Sequence, residues 1–288
     1  MTLDTFFGLF LKELEVNRQL WSYYKFHTDP ASFAFRKAYF CQRLQYVLDH
    51  AGDVNNEILD IGCGYGTTAI FLALNGYKVH GTTLEFYYKE IPERLRYWSG
   101  FGNVSGFTFD YEDLFDPSVP RKKYERIIVQ DTLHHLEPLP EAIGIIERHL
   151  GVNGQIIVIE ENGNNLIQSL KLYRQRGNKR IIEFYDERLK KTILLGNENI
   201  RSLKTWKREF SRSGLVVDPA SVQYVRALPP SVFNRLGYEK ALQYENNLWR
   251  RNPLLKEYFF FGINFMVSRS GSGKKADKIY DVSHSTLS

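Results

Sequence analysis

The chain has 288 residues, of which 43% are hydrophobic and 25% charged, and its formal net charge is +5. This composition is typical of a globular protein and excludes fibrous and largely disordered classes. The apolar runs are far shorter than the roughly 20 residues that span a bilayer, and the N-terminus lacks a basic segment followed by an apolar one. We therefore expect a cytoplasmic protein without a membrane span. Two cysteines are too few for a disulfide framework or a structural zinc site, so no metal is expected.

The positive charge is concentrated in one segment. Residues 171–212 contain 13 Lys and Arg against 5 Asp and Glu, a balance of +8, which leaves −3 for the remainder of the chain. A uniformly basic nucleic-acid-binding protein would not show this distribution. Three interpretations are open: a solvated helical face, a docking surface for an anionic substrate or an acidic carrier protein, and an RNA-binding face.

The first 50 residues have apolar side chains at helical spacing, interrupted by a turn at His27-Thr28-Asp29-Pro30. This pattern predicts two helices before the first strand. Aromatic residues cluster at 21–27 and 33–35. They are expected either to pack in the core or to form an N-terminal helical lid over a binding site.

Residues 56–159 alternate short β-rich runs with helical stretches. Helices are predicted near residues 68–75, 88–99 and 139–150, and strands at residues 57–61, 78–83, 105–109, 126–130 and 155–159. The strands are too continuously apolar for a half-exposed sheet. They predict an α/β fold with a doubly wound, mostly parallel sheet.

The remainder of the chain departs from this alternation. Residues 163–212 predict a polar, basic, helical insertion, and final strands are predicted at residues 215–217, 221–225 and 259–267. The predicted organisation is a helical lid over residues 1–50, a main domain over 51–268 that contains the insertion 163–212, and a disordered tail over 269–288.

The most informative stretch is an apolar strand that runs directly into a glycine-rich turn, Glu57-Ile58-Leu59-Asp60-Ile61-Gly62-Cys63-Gly64-Tyr65-Gly66. A doubly wound sheet binds nucleotide-like ligands at this position, where glycines let the backbone approach the ligand closely. The Gly-x-Gly-x-Gly spacing differs from the Gly-x-Gly-x-x-Gly of dinucleotide-binding proteins. A carboxylate at the strand end, Asp60, suits a cationic amino-acid group better than a pyrophosphate.

This run resembles the first motif of the class I S-adenosylmethionine-dependent methyltransferases, and the resemblance covers roughly residues 56–159. It implies a Rossmann-like methyltransferase fold, methyl transfer as the activity and S-adenosyl-L-methionine as the cofactor. By the same resemblance, Asp60, Gly62, Gly64 and Gly66 are expected to hold the methionine part of the cofactor, and Cys63 between them is expected to belong to the cofactor-binding set.

The resemblance also assigns residues at the ends of the next three strands. Thr83 stands where the family usually has an acidic residue for the ribose hydroxyls, and Glu85 is expected to reach the ribose unless it only caps the next helix. Asp110 is expected to accept a hydrogen bond from the adenine amino group, with the Tyr111 amide at a ring nitrogen; the alternative is a surface turn. Gln130 completes the expected cofactor-binding set.

The candidate catalytic residues are His134 and His135 after the fourth strand and Glu160 after the fifth. Imidazole titrates near neutrality, and a methyl acceptor usually must lose a proton. The alternatives are that the histidines only pack against the sheet, and that the turn with Glu160 and Glu161 meets no substrate.

We therefore expect an enzyme that methylates a small hydrophobic or aromatic metabolite, with O-methylation as the primary hypothesis. The small-molecule acceptor is open to being anionic or carrier-bound, nucleic acid is not the expected partner, and the oligomeric state is left open. Two alternatives remain, an RNA methyltransferase that uses the basic insertion and a non-catalytic protein that keeps the cofactor.

Overall fold

The computed structural model describes residues 1–84, 86–117 and 122–271. Glu85 lies outside these residues, as does the predicted tail from residue 272 onward. The described part of the chain forms a central eight-stranded sheet, a separate two-stranded hairpin and eleven α-helices. None of the helices in these ranges is both long and apolar enough to cross a membrane.

The central sheet is mostly parallel, and its strand order is β3-β2-β1-β4-β5-β10-β8, with β9 also paired to β10. Strands β1 to β5 run parallel to their neighbours, whereas β10 is antiparallel to β5, β8 and β9. The predicted doubly wound α/β fold is therefore confirmed. The strands are β1 (Glu57–Ile61), β2 (Lys78–Thr83), β3 (Phe107–Tyr111), β4 (Tyr124–Gln130), β5 (Leu150–Glu161), β6 (Ile181–Asp186), β7 (Lys191–Gly196), β8 (Leu215–Val217), β9 (Gln223–Val225) and β10 (Gly262–Arg269).

Helices precede the sheet, connect its strands and flank the hairpin formed by β6 and β7. Short 3-10 helices occur at Pro30–Ser32, Phe86–Lys89 and Pro219–Ser221. The α-helices are α1 (Leu3–Val16), α2 (Arg18–Tyr24), α3 (Phe33–His50), α4 (Thr67–Leu74), α5 (Ile91–Ser99), α6 (Leu139–His149), α7 (Leu166–Arg176), α8 (Leu203–Arg212), α9 (Pro230–Leu236), α10 (Tyr238–Arg251) and α11 (Pro253–Phe259).

Two parts of the secondary-structure prediction are wrong. Three α-helices, not two, precede β1, because Asn17 ends α1 while its side chain accepts the Leu20 amide at 3.0 Å and so caps α2. The insertion is not all helical, because residues 181–196 form the β6–β7 hairpin. In addition, residues 230–258, for which no element was predicted, contain two helices and most of a third, which ends at Phe259.

Apolar layers cover both faces of the sheet. One layer packs the N-terminal helices, α4 and α5 against it, and its phenylalanines Phe6, Phe7 and Phe10 are at most 3% exposed. The opposite layer packs α6 and α8 around Trp206 and Phe210. Most N-terminal aromatic residues therefore belong to the core, where burial of large side chains stabilises the fold most.

A buried ion pair joins the N-terminal helices to the glycine turn. Both oxygens of Glu13 accept hydrogen bonds from Arg94 at 2.8 Å, and Trp98 Nε1 donates to Glu13 at 3.0 Å. Arg94 also donates to the Tyr65 carbonyl at 2.7 Å and to Thr67 Oγ1 at 2.6 Å. Because a buried charge without its partner is costly, this network holds α1 and α5 firmly against the loop that follows β1.

Candidate active site

Two adjoining cavities lie at the carboxyl ends of the parallel strands, where open α/β sheets bind their ligands. The strand-end cavity, of about 250 Å³, is bordered by the glycine turn, the ends of β2 and β4 and the β6–β7 hairpin. The second, of about 320 Å³, lies between α2, α3 and the end of β4, and we call it the arginine cavity. The two share the wall formed by Tyr23, Tyr24, Thr67, Thr68, Gln130 and Asp131.

The glycine turn brings bare backbone to the edge of the strand-end cavity. Gly62 has φ +74°, and a Cβ there would lie 2.3 Å from Thr132 Oγ1, so no side chain fits. Gly64 has φ +54°, and among the described residues the one atom within 4 Å of a Cβ there would belong to Tyr87, at 3.9 Å. The amides of Gly62 and Cys63 donate to the Thr82 carbonyl at 2.8 and 3.0 Å, which ties the turn to β2. This geometry leaves room for a ligand to lie along the turn.

Asp60 lies inside β1, below the turn, and is 2% exposed. Burial raises the pKa of its carboxyl to about 7. A cation nearby would favour the ionised form of this acid. Neither Asp60 nor Gly66 lines the strand-end cavity. Asp60 is buried within β1, and Gly66 is the N-cap residue of α4. Direct contact of these two residues with the cofactor stays a prediction.

The acidic wall of the cavity lies further along the chain than the sequence predicted, because β3 extends to Tyr111. The Asp110 side chain is 66% exposed, lies 3.6 Å from His80 Nε2 and does not line the cavity. Glu112 and Asp113 line it instead. The Tyr111 hydroxyl donates to Asp186 on the hairpin, so its side chain anchors that element.

Three further predicted residues line the strand-end cavity: Cys63, Thr83 and Gln130. Gln130 Oε1 accepts from Thr68 Oγ1 at 3.1 Å, which sets the orientation of its amide. Burial raises the pKa of the Cys63 thiol, so this residue is a neutral lining group and not a nucleophile. The ribose contact expected of Glu85 falls outside the described residues and stays a prediction.

His134 and Glu160 form a buried pair behind the cavity. Glu160 has no exposed surface; its Oε1 accepts the Thr132 amide at 3.1 Å, and its Oε2 lies 2.6 Å from His134 Nδ1. Although burial alone would lower it, Glu160 and Glu198 together raise the pKa of His134. Neither His134 nor Glu160 lines the strand-end or the arginine cavity, so their location favours holding the loop after β4 over meeting a substrate.

Of the three predicted catalytic residues, His135 is the one that lines the strand-end cavity. Its Nδ1 lies 2.8 Å from the Gly196 carbonyl, and the Gly196 amide donates back to the His135 carbonyl at 2.9 Å. Because a carbonyl only accepts, we assign the proton of the neutral ring to Nδ1, which leaves Nε2 with a lone pair. The ring is therefore held in the tautomer that a general base needs.

One group of potential metal ligands occurs in the described ranges, although no metal was expected. His134, His135 and Glu198 each place one ligand atom within 4.8 Å of the others. His134 Nε2 lies 3.8 Å from Glu198, while its Nδ1 meets Glu160. An imidazolium between two carboxylates accounts for this arrangement, so we assign it to an ion-pair network.

The β6–β7 hairpin covers the strand-end cavity and was missed from the sequence. Ile193, Leu194 and Leu195 contribute apolar wall to the cavity. The Lys191 ammonium lies 2.8 Å from Asp113, and the Arg188 guanidinium lies 4.5 Å from the ring centroid of Tyr88 and 4.8 Å from that of Tyr111. Part of the basic segment thus attaches the hairpin to the cavity wall. The available signal was a pair of short runs rich in aliphatic and aromatic residues, 181–185 and 193–195, separated by a polar turn.

Three arginines that the sequence analysis did not single out line the arginine cavity. Arg36 and Arg43 lie on α3, and Arg226 follows β9. Arg43 forms an ion pair with Asp131 on the shared wall. Arg36 and Arg43 are seven residues apart on one helix, but Arg226 is distant in the sequence, so no local pattern could have joined all three.

The strand order, the glycine turn and the strand-end cavity define the Rossmann-like class of S-adenosylmethionine-dependent methyltransferases. A family model described as a methyltransferase domain matches residues 32–219, more than half of the chain. The chain belongs to this family and is an S-adenosylmethionine-dependent methyltransferase, so the predicted activity and cofactor are confirmed.

Similar proteins of known sequence and structure fit this membership. Ubiquinone biosynthesis O-methyltransferases from Rickettsia canadensis and Rickettsia felis are each 27% identical over 122 residues, which cover 40% of this chain and 49% and 48% of theirs. The chain thus matches about half the length of these curated relatives.

Two solved structures have a similar fold. A geranyl diphosphate C-methyltransferase from Streptomyces coelicolor has a TM-score of 0.57 and 14% identity, covering 84% of this chain and 86% of that one. An S-adenosylmethionine-dependent methyltransferase from Methanosarcina mazei has a TM-score of 0.50 and 19% identity, covering 77% and 96%. At these identities, the likeness shows the fold alone.

Proposed function

We propose that this enzyme transfers a methyl group to an oxygen atom of a small apolar or aromatic acceptor, with His135 as the general base. The observation that carries the proposal is the position of His135 in the wall of the strand-end cavity, with Nδ1 engaged by the Gly196 carbonyl. The names of the Rickettsia relatives, which are O-methyltransferases, support oxygen as the acceptor atom.

The amino-acid end of the cofactor matches groups around the glycine turn. The bare backbone at Gly62 and Gly64 leaves space for the methionine part. Arg43, in an ion pair with Asp131 on the shared wall, offers a cation to the cofactor's carboxylate. Asp60 offers a carboxylate to its ammonium group.

The adenine end matches the acidic wall after β3. Asp113 already binds Lys191 and the Phe115 amide, so we assign the adenine amino group to Glu112. Burial, together with the neighbouring carboxylates Asp110, Asp116 and Asp113, raises the pKa of Glu112. A hydrogen-bond donor from the ligand would relieve this unfavourable environment.

When bound, S-adenosylmethionine supplies a sulfonium methyl group: the acceptor oxygen forms the new O–CH₃ bond as the S–CH₃ bond breaks, and S-adenosylhomocysteine leaves. In the proposed mechanism, His135 Nε2 takes the proton that the acceptor hydroxyl loses. His134 and Glu160 hold the loop that carries His135. The apolar residues of β7 exclude water, and the remaining contribution is alignment of the reacting atoms.

Two features support a small acceptor over RNA. The wall of the arginine cavity includes Phe26, Phe35 and Phe40, which suits an apolar body. Several cations of the basic insertion are engaged within the chain; for example, Arg201 pairs with Glu137, as Lys191 does with Asp113. Tyr23 and Tyr24, which belong to the proposed lid over residues 1–50, lie in the shared wall.

The test is a His135→Gln variant, assayed with a panel of phenols and catechols and compared with His50→Gln at the end of α3. Loss of a general base should lower kcat about 10²- to 10⁴-fold, while S-adenosylhomocysteine affinity stays unchanged. An unchanged kcat for His135→Gln would remove the base role. Methyl incorporation into RNA but into none of the phenols would remove the small-acceptor proposal.

A further inference from the structure

We propose that the acceptor carries an anionic group, a carboxylate or a phosphate, which Arg36 and Arg226 bind in the arginine cavity. This inference rests on the proposed methyl transfer and names the chemical class of its acceptor. It places the apolar body of the acceptor against the aromatic wall and its hydroxyl toward the wall shared with the strand-end cavity.

The arginine cavity adjoins the strand-end cavity at the shared wall and has a mixed apolar and cationic lining. Phe35, Tyr39 and Phe40 supply aromatic surface, and three arginines supply positive charge. We assign Arg43 to the cofactor's carboxylate, because it contacts Asp131 on the shared wall. Arg36 and Arg226 then remain for a second anion.

The backbone of Arg226 is held in an unusual conformation. Its φ of +67° lies in the left-handed region, which residues other than glycine rarely adopt. Glu245 accepts the next two amides, of Ala227 and Leu228, at 2.7 and 2.9 Å, and the Arg226 carbonyl accepts the Phe261 amide at 3.0 Å. Backbone strain held in this way is typical of functional positions.

A second residue in the wall of the arginine cavity also has a positive φ. Asp131, on the shared wall, has φ +50°. Arg226 and Asp131, both with a positive φ, therefore line the arginine cavity.

The Arg226 side chain is oriented by aromatic rings and only weakly by charge. Its guanidinium lies 4.1 Å from the Tyr39 ring centroid and 5.5 Å from that of Phe261. Its nearest carboxylate oxygen, on Glu161, is 3.7 Å away, which is too long for a hydrogen bond. The two rings thus hold the guanidinium through cation–π contacts, while Glu161 is too far away to accept a hydrogen bond from it.

Arg36 is similarly underused. It bonds to Asp29 at 3.2 Å, but the Asp29 side chain is 38% exposed, so the pair is partly screened by water. The Nε atoms of Arg36 and Arg226 are both buried and without a hydrogen-bond partner among the described residues. The two guanidiniums therefore have more donors than the surrounding protein uses. Carboxylate and phosphate oxygens match this donor geometry.

The positive charge that an anionic acceptor would meet does not come from the basic insertion. The sequence directed attention to the basic insertion, whereas Arg36 lies on α3 and Arg226 follows β9. The cations that border the arginine cavity thus come from outside residues 171–212.

The test measures binding to the protein saturated with S-adenosylhomocysteine. The probes are 3,4-dihydroxybenzoate, its uncharged methyl ester and 4-hydroxyphenyl phosphate, titrated calorimetrically. The variants are Arg36→Gln, Arg226→Gln and Arg226→Lys, with Arg96→Gln as control because Arg96 is exposed on α5. The acid and the phosphate distinguish the two kinds of anion.

The wild type should bind at least one charged probe about tenfold or more tightly than the ester. Arg226→Gln and Arg36→Gln should each weaken the charged probe about tenfold or more and leave the ester unchanged, Arg226→Lys should recover part of the affinity, and Arg96→Gln should behave as wild type. Equal binding of ester and anions, no binding of either anion, or equal weakening of all probes would overturn the proposal. If neutral phenols were methylated in that case, only the anionic-acceptor proposal would fail and O-methylation would still hold. If no phenol were O-methylated, the proposed function itself would be refuted.

Discussion

The strand-end cavity has two covers that are attached in different ways. The N-terminal helices are bound through a buried aromatic layer and the fully buried Glu13–Arg94 pair. The β6–β7 hairpin carries exposed Ile181, Phe184 and Tyr185, and the cations that attach it, Arg188 and Lys191, are themselves exposed or partly exposed.

This difference indicates separate physical roles for the two sides. A cover that shares the core cannot leave without unfolding the domain, whereas one held by partly exposed contacts can open at small cost. We therefore expect the N-terminal side to set stability and the hairpin side to set ligand exchange. Four experiments test that division, from the largest expected effect to the smallest.

Removal of one buried charge should destabilise the N-terminal side most. Glu13→Gln leaves the buried Arg94 without its carboxylate partner, and we expect a loss of about 3–5 kcal/mol in the free energy of unfolding. Denaturant unfolding measures it. Glu15→Gln, exposed on the same helix, is the matched control and should change stability by less than about 0.5 kcal/mol. Equal small effects would show that the N-terminal cover is not part of the folding unit.

The pH dependence of ligand binding should identify the charge below the glycine turn. Because the Asp60 pKa is about 7 in the free protein, S-adenosylhomocysteine affinity should rise with pH and approach a plateau above 7. Below that pH it should fall by up to about tenfold per unit. Calorimetry between pH 5.5 and 8 measures this, and Asp60→Asn should bind weakly with a flat profile.

The same group has the opposite effect on the free protein. The folded state binds the Asp60 proton more tightly than the unfolded chain, so its contribution to stability is lost as pH rises from about 4 to 7. Thermal unfolding of wild type and Asp60→Asn without ligand should show this difference. A ligand profile with no dependence on Asp60 would break the assignment.

At the hairpin side, two acids compete for the adenine amino group. We expect Glu112→Gln to weaken S-adenosylhomocysteine about tenfold, since hydrogen bonds to charged groups contribute about 1.5–3 kcal/mol. Asp110→Asn should have little effect, because Asp110 is outside the cavity wall. If Asp110→Asn weakened binding more than Glu112→Gln, Asp110 would be the partner of the adenine amino group, as the sequence motif implied.

The smallest effect is expected from loosening the hairpin. Arg188→Gln and Lys191→Gln remove partly exposed contacts that contribute about 0.5–1 kcal/mol each. Dissociation of S-adenosylhomocysteine should become several-fold faster in stopped-flow experiments, with the melting temperature unchanged. Lys204→Gln, exposed on α8, is the control. A fall in melting temperature as large as that of Glu13→Gln would show that both covers belong to one unit.

The sequence by itself determined the alternating α/β order and the glycine turn. Both are local properties: continuous apolar runs specify buried strands, and the glycines mark a turn where the backbone needs positive φ. Family motifs then identified Thr83 and Gln130 at the ends of strands and His135 in the loop after β4, and all three line the strand-end cavity.

Tertiary structure decided which of the other candidates meet that cavity. Because β3 ends two residues later than predicted, Glu112 and not Asp110 lies in the cavity wall. His134 and Glu160 bind each other in a buried pair and do not line the cavity. The positions of the hairpin and of Arg226 at the two cavities could not be predicted from the sequence either. Their positions depend on contacts between segments far apart in the chain, such as Tyr111 with Asp186 and Tyr39 with Arg226, whereas sequence periodicity reports only on near neighbours.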